Sequence, residues 1–472
     1  MPESTLVLDV GGQGCRALAV DDTGCIRASM SQDVSTRESA ERVEQDADEL
    51  AAALAGLAAE VATRAESLDA PVTRAALAVQ RGSVACWKSS DSEALSPVIS
   101  WRDRRCLPEL ARLSVHSNEI KHRSGLRFSP YGGATKLAWC LKHLPAMQNH
   151  VQRVGRSDRA CGPLGSFLLA RLLKGHPLRT DDTLAQRTLL WSREKLDWDE
   201  WLLEQFGLDR SMLPAVVPGR SFHGQLACTN AEVPLELLMG DQNAVPFVDG
   251  SPRSDTLYIN LGTGAFLVRP LDQPLDDPRF QLSLLERGRG GRWALEASIH
   301  GAASALAWLG HEANGQTDSA VGLRQRCDRP PLFINTVDGL GSPWWCPGPE
   351  AGFIDDSGDS ESRLLGVLES ITFLVCANVE AMSGATEKPE RIVLSGGLSQ
   401  SATLCSLIAD LLEISIFRLE PAEATCLGLW CHLQHRSLSE DCFRPVSREP
   451  SPALGERYRR WREYMPEMPA LD

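Results

Sequence analysis

Short apolar runs that stop at a glycine or a charge recur along this chain. Leu6 to Asp9 predicts a strand that enters Gly11, Gly12 and Gly14, with Ala17 to Val20 as a returning strand and a turn at Asp21 to Gly24. This strand, glycine turn, strand order differs from the strand, glycine loop, helix of a dinucleotide fingerprint. Several glycines in a hairpin still let backbone amides approach phosphate oxygens closely. Asp46 then caps an alanine-rich helix through about Glu66, and Val72 to Val79 predicts a strand leading to Gln80 and Arg81. Ser96 to Trp101 reads as another strand, ahead of Arg102-Asp103-Arg104-Arg105. Polar groups thus collect at strand ends, where α/β proteins hold their ligands; a solvated loop accounts equally well for any one of these clusters.

Gly125 to Pro145 reads as loop, then helix, with Tyr131 just ahead of Thr135-Lys136-Leu137-Ala138-Trp139. Leu164 to Leu173 and Asp197 to Phe206 predict core helices, and Thr180 to Leu190 between them is polar and loop-rich. Near the midpoint, Leu237 to Pro246 (LLMGDQNAVP) ends an apolar run at Gly240 and delivers Asp241 into a polar turn. By residue type alone, Asp241 is a turn residue or helix cap. Pro246 to Asp255 reads as a linker.

The second half then opens as the first did. Thr256 to Leu261 predicts a strand, Gly262-Thr263-Gly264 a tight turn and Ala265 to Val268 the returning strand, an internal echo of Leu6 to Val20. One such hairpin is ordinary in any sheet, but two of them opening halves of similar length point towards a duplicated nucleotide-binding architecture. Further on, Ile299 to Trp308 predicts a small-residue helix beginning near His300-Gly301, Asp338 to Pro349 a Gly- and Pro-rich loop, and Arg363 to Met382 a long helix. Ile392 to Leu394 predicts a buried strand feeding Ser395-Gly396-Gly397-Leu398-Ser399, which opens another helix, an order suited to cradling part of a nucleotide. The tail beyond about Ser437, rich in Arg, Glu and Pro, reads as peripheral.

Composition narrows the class. The 472 residues exceed one compact core and suggest two large domains or about three smaller ones, and 43% of them are hydrophobic. Lys and Arg number 48 against 62 Asp and Glu, for a formal charge of −14. That sign excludes a protein that coats nucleic acid or an anionic membrane, so any phosphate must meet a local site. The 14 cysteines form no CxxC pair or Cys/His cluster, and some, such as Cys376 and Cys405, lie in apolar stretches, as in a reducing compartment. Neither structural zinc nor a disulfide framework is indicated. The N-terminus lacks a basic-then-apolar leader and no run approaches the roughly 18 apolar residues of a membrane span, so the cytoplasm is expected.

In order, DVGGQGCRALAVD at Asp9, VEQDADEL at Val43, VQR at Val79, SWRDRR at Ser100, PYGGATKLAW at Pro130, TDDTLAQRT at Thr180 and LDWDEWLLEQFG at Leu196 form one series. GDQNA at Gly240, LGTGAF at Leu261, DGLGSPWW at Asp338, LSGGLS at Leu394 and PAEATCLG at Pro421 continue it. The series resembles the FGGY carbohydrate kinase family, within the actin, sugar kinase and Hsp70 fold group, and is glycerol-kinase-like in DGLGSPWW and GDQNA. The resemblance implies an α/β fold of two actin-like (ribonuclease H-like) domains with an interdomain cleft. It implies a sugar-binding domain over residues 1–245 and a nucleotide-binding domain over 246–472. It further implies transfer of the γ-phosphoryl group of ATP, with Mg2+, to a hydroxyl of a small polyol or ketose. Asp241 takes the position of the general base, and Asp9, with Asp241, that of the metal-organising acids. Gln80, Arg81, Trp101, Tyr131, Gln242 and Phe266 match the polyol side. Gly11, Gly12, Gln13, Arg16 and the Gly262, Thr263, Gly264 turn match the phosphate side, and Gly301, Gly396, Gly397 and Ser401 the rest of the nucleotide site. The expected partner is a small molecule, with no nucleic acid or membrane, and a homodimer is left open.

Phosphoryl transfer needs positioning and charge neutralisation more than covalent chemistry, which suits a base between glycine turns. Several positions depart from the family. Gly82 follows Arg81 where glycerol kinases carry a polyol-binding glutamate, so glycerol becomes doubtful and freed volume is expected for a larger or differently oxidised substrate. Gly12, Gln13 and Gly14 replace a run rich in Thr and Ser, Ser401 a frequent asparagine, and Gly165 a frequent aspartate. The alternative is a sugar-binding regulator that kept the fold and lost turnover.

Overall fold

A computed structural model describes residues 3–147, 158–288, 290–310, 322–327, 329–354 and 358–469. The chain divides into two compact units: Met1–Ser251 with Ser283–Arg292 and Thr425–Ser437, and Pro252–Leu282 with Trp293–Ala424 and Leu438–Asp472. Three separate segments therefore build the first unit, where a single division at 245/246 expects one. The helix Ala424–Gln434 shows why. Gly428 lies where a Cβ would collide with the Ala244 carbonyl, and the His432 ring sits 3.9 Å from that of Phe247, so the helix packs on the first unit by backbone approach and ring contact. Pro246, Phe247 and Val248 are buried in a 3-10 turn, so the expected linker begins as core.

The first unit is built on a six-stranded sheet: β1 (Ser4–Val10), β2 (Gly14–Asp21), β3 (Ile26–Asp33), β4 (Val72–Val79), β5 (Arg220–Gln225) and β6 (Pro234–Gly240), in the order β5-β6-β4-β1-β2-β3. β1, β4 and β6 run parallel; β2, β3 and β5 are antiparallel to their neighbours. β1 and β4 are buried on both faces and read as continuous apolar runs, whereas the edge strand β3 alternates half-buried with exposed residues and carries no apolar run to predict it from. Helix α1 (Ala47–Ser67) covers one face of β1 to β3. Asp46 accepts from the amides of Asp48 and Glu49 at 3.0 Å each, and Leu50, Leu54, Leu57 and Val61 line the buried stripe.

The second unit repeats this wiring. Its sheet has β7 (Thr256–Leu261), β8 (Ala265–Leu271), β9 (Gln281–Glu286), β10 (Arg292–Ile299), β11 (Arg391–Ser395), β12 (Ser415–Leu419) and β13 (Phe443–Pro445) in the order β9-β10-β8-β7-β11-β12-β13, with β9 from Ser283 onward counted in the first unit. β7, β8 and β10 are antiparallel, and β11 and β12 continue parallel to β7. Three antiparallel strands followed by parallel ones thus occur twice, as expected of two actin-like, ribonuclease H-like units. The long helix Ser360–Ser383, capped by Asp359, is apolar enough by length and mean hydropathy (1.6) to cross a membrane, yet 94% of that window is buried in this core.

Several sequence expectations change. Ser96 to Trp101 forms only the short strand Val98–Ile99, because the Ser96 hydroxyl is engaged by the Cys86 amide and the Trp101 amide by the Ser83 hydroxyl. Thr180 to Leu190 is not loop: it holds the strand Arg179–Asp181 and helix α2 (Asp182–Gln186). The segment from Asp197 begins as the strand Asp197–Trp198, and its helix, Glu200–Phe206, starts only after the Asp199 cap. Ile299 ends a strand, and the helix expected there starts at Ala303. The tail is core: β13 pairs with β12, and Leu454, Tyr458 and Trp461 of the helix Pro452–Tyr464 are buried, with Trp461 5.7 Å from Phe373.

Candidate active site

In the first unit, Val10, Val79 and Gly240 are register partners across the three parallel strands, so Gly11, Gln80 and Asp241 leave the sheet along one edge. Asp9 lies one residue inside that edge, opposite Arg16. Its carboxyl is pushed up to about 7 by burial and by the Asp241 charge, with Arg16 opposing. Asp241 starts the short helix Asp241–Ala244. Its Oδ1 accepts from the Gln242 amide at 2.8 Å, its Oδ2 from Gln242 Nε2 at 3.3 Å, and Arg81 Nε lies 3.5 Å from Oδ1. The Arg81 side chain is only 6% exposed; its Nη1 donates to Asn243 Oδ1 at 3.1 Å, and Asn243 Nδ2 in turn to the Leu284 carbonyl at 2.7 Å. The cation is thereby fixed beside the carboxylate.

Gln80 is buried and ties this edge to the first glycine hairpin. Its Nε2 donates to Gln45 Oε1 at 3.0 Å, and Gln45 Nε2 to the Gly12 carbonyl at 3.2 Å. The hairpin closes through Gly11 N–H on the Gly14 carbonyl at 3.0 Å, leaving Gly12, Gln13 and Arg16 exposed. Gly14 is required sterically, since a Cβ would come within 2.5 Å of the Gln32 carbonyl. Trp101 and Tyr131 stand half-buried with ring centroids 5.7 Å apart, and Arg104 Nη2 donates to the Tyr131 hydroxyl at 3.2 Å.

The second unit carries the other set. Gly262 N–H donates to the Gly264 carbonyl at 2.9 Å, repeating the first hairpin's closure. The amides of Ala303 and Ser304 donate to the Gly262 and Thr263 carbonyls at 3.1 Å each, and a Cβ on Gly264 would come within 2.7 Å of the Ile299 carbonyl. Gly396, at φ +83°, lies where a Cβ would sit 2.6 Å from the Leu261 carbonyl, so the two glycine turns are neighbours, while Gly397 faces open space. Ser401 is buried and its hydroxyl caps the helix Ala402–Leu412, accepting from the Leu404 amide at 3.3 Å. The Gly301 carbonyl accepts from Asn335 Nδ2 at 2.8 Å. Phe266 lies on β8 opposite Asn260, in the second unit, whereas Arg81, Trp101 and Tyr131 are in the first.

Residues 4–262 match the N-terminal domain, and residues 257–431 the C-terminal domain, of the FGGY family of carbohydrate kinases. This chain belongs to that family. Relatives include a glycerol kinase of Trichlorobacter lovleyi, 30% identical with 90% of this chain and 88% of that one covered. An apulose kinase of Pectobacterium atrosepticum is 30% identical over 90% and 87%. The fold matches that of Plasmodium falciparum glycerol kinase with ADP (TM-score 0.83, 20% identity, covering 98% of this chain and 97% of that one) and of a ligand-bound xylulose kinase from Lactobacillus acidophilus (TM-score 0.82, 18% identity, 98% and 97%). FGGY kinases are ATP-dependent phosphotransferases acting on hydroxyl groups.

Within the family frame, Gly82 behaves differently from its sequence expectation. It sits at φ +77°, and a Cβ there would lie 2.5 Å from the Tyr131 carbonyl oxygen and 3.2 Å from Trp101 Cβ. The place where a side chain would start at Gly82 is therefore taken by the Tyr131 carbonyl. Lys136, from the PYGGATKLAW stretch, holds that backbone. It is fully buried, and its Nζ donates to the Pro130 and Gly132 carbonyls at 2.8 and 3.1 Å. Sequence reasoning left Lys136, Asn243 and Gln45 unassigned, because nothing local distinguishes a buried polar group from a solvated one.

Burial pushes the Lys136 ammonium from 10.5 down to about 8. Between those pH values the unfolded chain binds more protons than the native one, so this group makes stability rise with pH. Lys136→Met lacks that contribution. Chemical denaturation at two pH values, 8 and 10, should show the wild type gaining on the variant at the higher one; parallel shifts in both proteins would overturn the assignment.

Proposed function

We propose that this FGGY kinase transfers the γ-phosphoryl group of ATP to a hydroxyl of a small polyol or ketose in the cytoplasm, with Asp241 as general base. Gln80, Arg81, Trp101, Tyr131 and Gln242 in the first unit, and Phe266 in the second, are the residues whose family positions face the acceptor. Gly262, Thr263, Gly264, Gly301, Gly396 and Gly397 in the second unit match the family's nucleotide positions, and Gly11, Gly12, Gln13 and Arg16 in the first match its phosphate positions. Ser401 contributes by capping the helix behind the nucleotide turn. The observation that carries this reading is the Asp241 carboxylate held against Arg81 and the Gln242 amide beside a second, electrostatically coupled carboxylate, Asp9.

A base must be fixed within reach of the hydroxyl proton, and these contacts orient Asp241 for that. Backbone amides at the glycine turns approach phosphate oxygens without side-chain hindrance. Asp9 and Asp241 offer hard oxygen donors, and the repulsion that helps push Asp9 up to about 7 is what a divalent cation relieves. Among the described residues no cluster of three or more His, Cys, Asp or Glu could hold a metal alone, which suits Mg2+, commonly held by one or two carboxylates with phosphates and waters. When bound, the ion neutralises charge on the transferring phosphoryl group.

Relatives named glycerol kinase and apulose kinase support a small polyol or ketose as acceptor, and with Gly82 in place of a carboxylate, glycerol itself is expected to be a poor one. A coupled ADP-release assay with Mg2+ over triols, tetroses, pentuloses and heptuloses should show turnover on at least one ketose above that on glycerol. Calorimetry that finds sugar binding but no nucleotide binding, with no turnover on any acceptor, would make the protein a sugar-binding regulator instead.

A further inference from the structure

The polar stretch Thr180 to Thr183 lies on no glycine turn and carries none of the residues assigned above to substrate or nucleotide, yet it is almost wholly buried. Asp181 ends the strand Arg179–Asp181 and caps α2. Its Oδ2 accepts from the Thr183 amide at 2.8 Å and the Thr183 hydroxyl at 2.5 Å, while its Oδ1 accepts from the Leu184 amide at 3.2 Å. The hydroxyl proton of Thr183 is thus committed to Asp181, and Oγ1 can only accept in its other direction. It accepts from the Gly240 N–H at 2.8 Å. Gly240 is the last residue of β6 and immediately precedes Asp241.

On its other side, Gly240 is covered by Arg81: a Cβ there would lie 2.6 Å from Arg81 Cδ and 2.7 Å from Asn243 Oδ1. The Met239–Gly240 peptide, one residue ahead of Asp241, is therefore held by the Thr183 hydroxyl, and Gly240 itself is covered by the arginine stem. Helix α2 is itself anchored, since Asp182 is paired with Arg287 at 2.5 Å and Arg287 donates to the Leu196 carbonyl at 2.6 Å. A one-donor clamp of this kind fixes the direction in which the backbone leaves the strand.

We infer that Thr183, oriented by Asp181, is a positioning residue that sets the angle of the Asp241 carboxylate through the Gly240 amide. The inference rests on Asp241 being the base. Misplacement of a reacting group by about 1 Å costs about a hundredfold in rate, whereas acceptor and ATP binding use other residues. Thr183→Val, which keeps the shape and removes the hydroxyl, should lower kcat by about tenfold or more and leave the KM of the acceptor and the Kd of ATP within about threefold. Thr183→Ser should restore kcat to within about threefold of wild type. In an Asp241→Asn background, Thr183→Val should cost no more than about twofold further, as for a residue that acts through the base.

Wild-type kcat in folded Thr183→Val, alongside an inactive Asp241→Asn, overturns this inference alone; near-normal turnover in Asp241→Asn overturns the base assignment beneath it. A Thr183→Ser as slow as Thr183→Val would make the methyl the important group and also overturn it. Should Thr183→Val not fold, hydrogen exchange on the wild-type protein decides: the Gly240 amide must be protected, and exchange at the rate of an open loop refutes the clamp.

Discussion

Asp241→Asn should lose phosphoryl transfer by at least about a hundredfold while keeping ATP affinity. Asparagine has the same shape and its Oδ1 can still accept the Gln242 amide and face Arg81, with only the long Gln242 Nε2 contact to Oδ2 lost. What disappears is the capacity to take the acceptor's proton. The residues proposed to hold the nucleotide in the second unit, Gly262 to Gly264, Gly396 and Gly397, are untouched. A steady-state assay of kcat with calorimetry of ATP checks the two halves separately. Near-normal turnover would show that another group takes the proton; lost ATP binding would show that Asp241 serves the nucleotide instead.

The substitution also bears on Asp9. The Asp241 charge is the second cause of the raised Asp9 carboxyl, after burial. Removing a like charge lets Asp9 ionise more readily, so its titration moves downward in the variant.

Gly82→Glu should not turn this protein into a glycerol kinase. By sequence alone the substitution looks like a restoration of a missing polyol ligand. In the structure, a side chain at φ +77° is strained by about 1–3 kcal/mol. Its Cβ would also meet the Tyr131 carbonyl at 2.5 Å, a contact that backbone can relieve only by moving. The turn that would move carries the Tyr131 ring against Trp101 and is held by Lys136. The expected outcome is a lower unfolding midpoint and an acceptor KM raised by about tenfold or more, with ATP affinity unchanged. Glycerol turnover appearing in a stable Gly82→Glu variant would show that the turn yields freely and that this close approach does not set specificity.

Both predictions separate what is local from what is not. The two glycine hairpins were legible because an apolar run stops at the glycines and a second run returns; that a Cβ at Gly14 or Gly264 would strike the Gln32 or Ile299 carbonyl is seen only in the fold. Asp241 was legible by its position after such a run, and the Asp46 cap by its offset from the helix it starts. The edge strand β3 and the strand Arg179–Asp181 were not legible, because β3 carries no apolar run and Arg179–Asp181 buries the polar Thr180 and Asp181. The tail failed for a related reason: Leu454, Tyr458 and Trp461 have helical spacing, but charged neighbours dilute it until the core against which they pack is known.

By itself, then, the sequence determined that the chain holds two related α/β halves, each opened by a glycine hairpin, and that Asp9, Arg81 and Asp241 stand at strand ends. These follow from periodicity and from glycine turn signals within a few residues. Only the tertiary structure decided that Ala424–Gln434 packs with the first unit, that the Tyr131 carbonyl takes the place where a side chain would start at Gly82, and that Thr183 reaches Gly240 across 57 residues of chain. A buried hydrogen bond or a backbone contact is fixed by where two distant segments meet, and polar residues that meet in the interior look, in one dimension, like those that meet water.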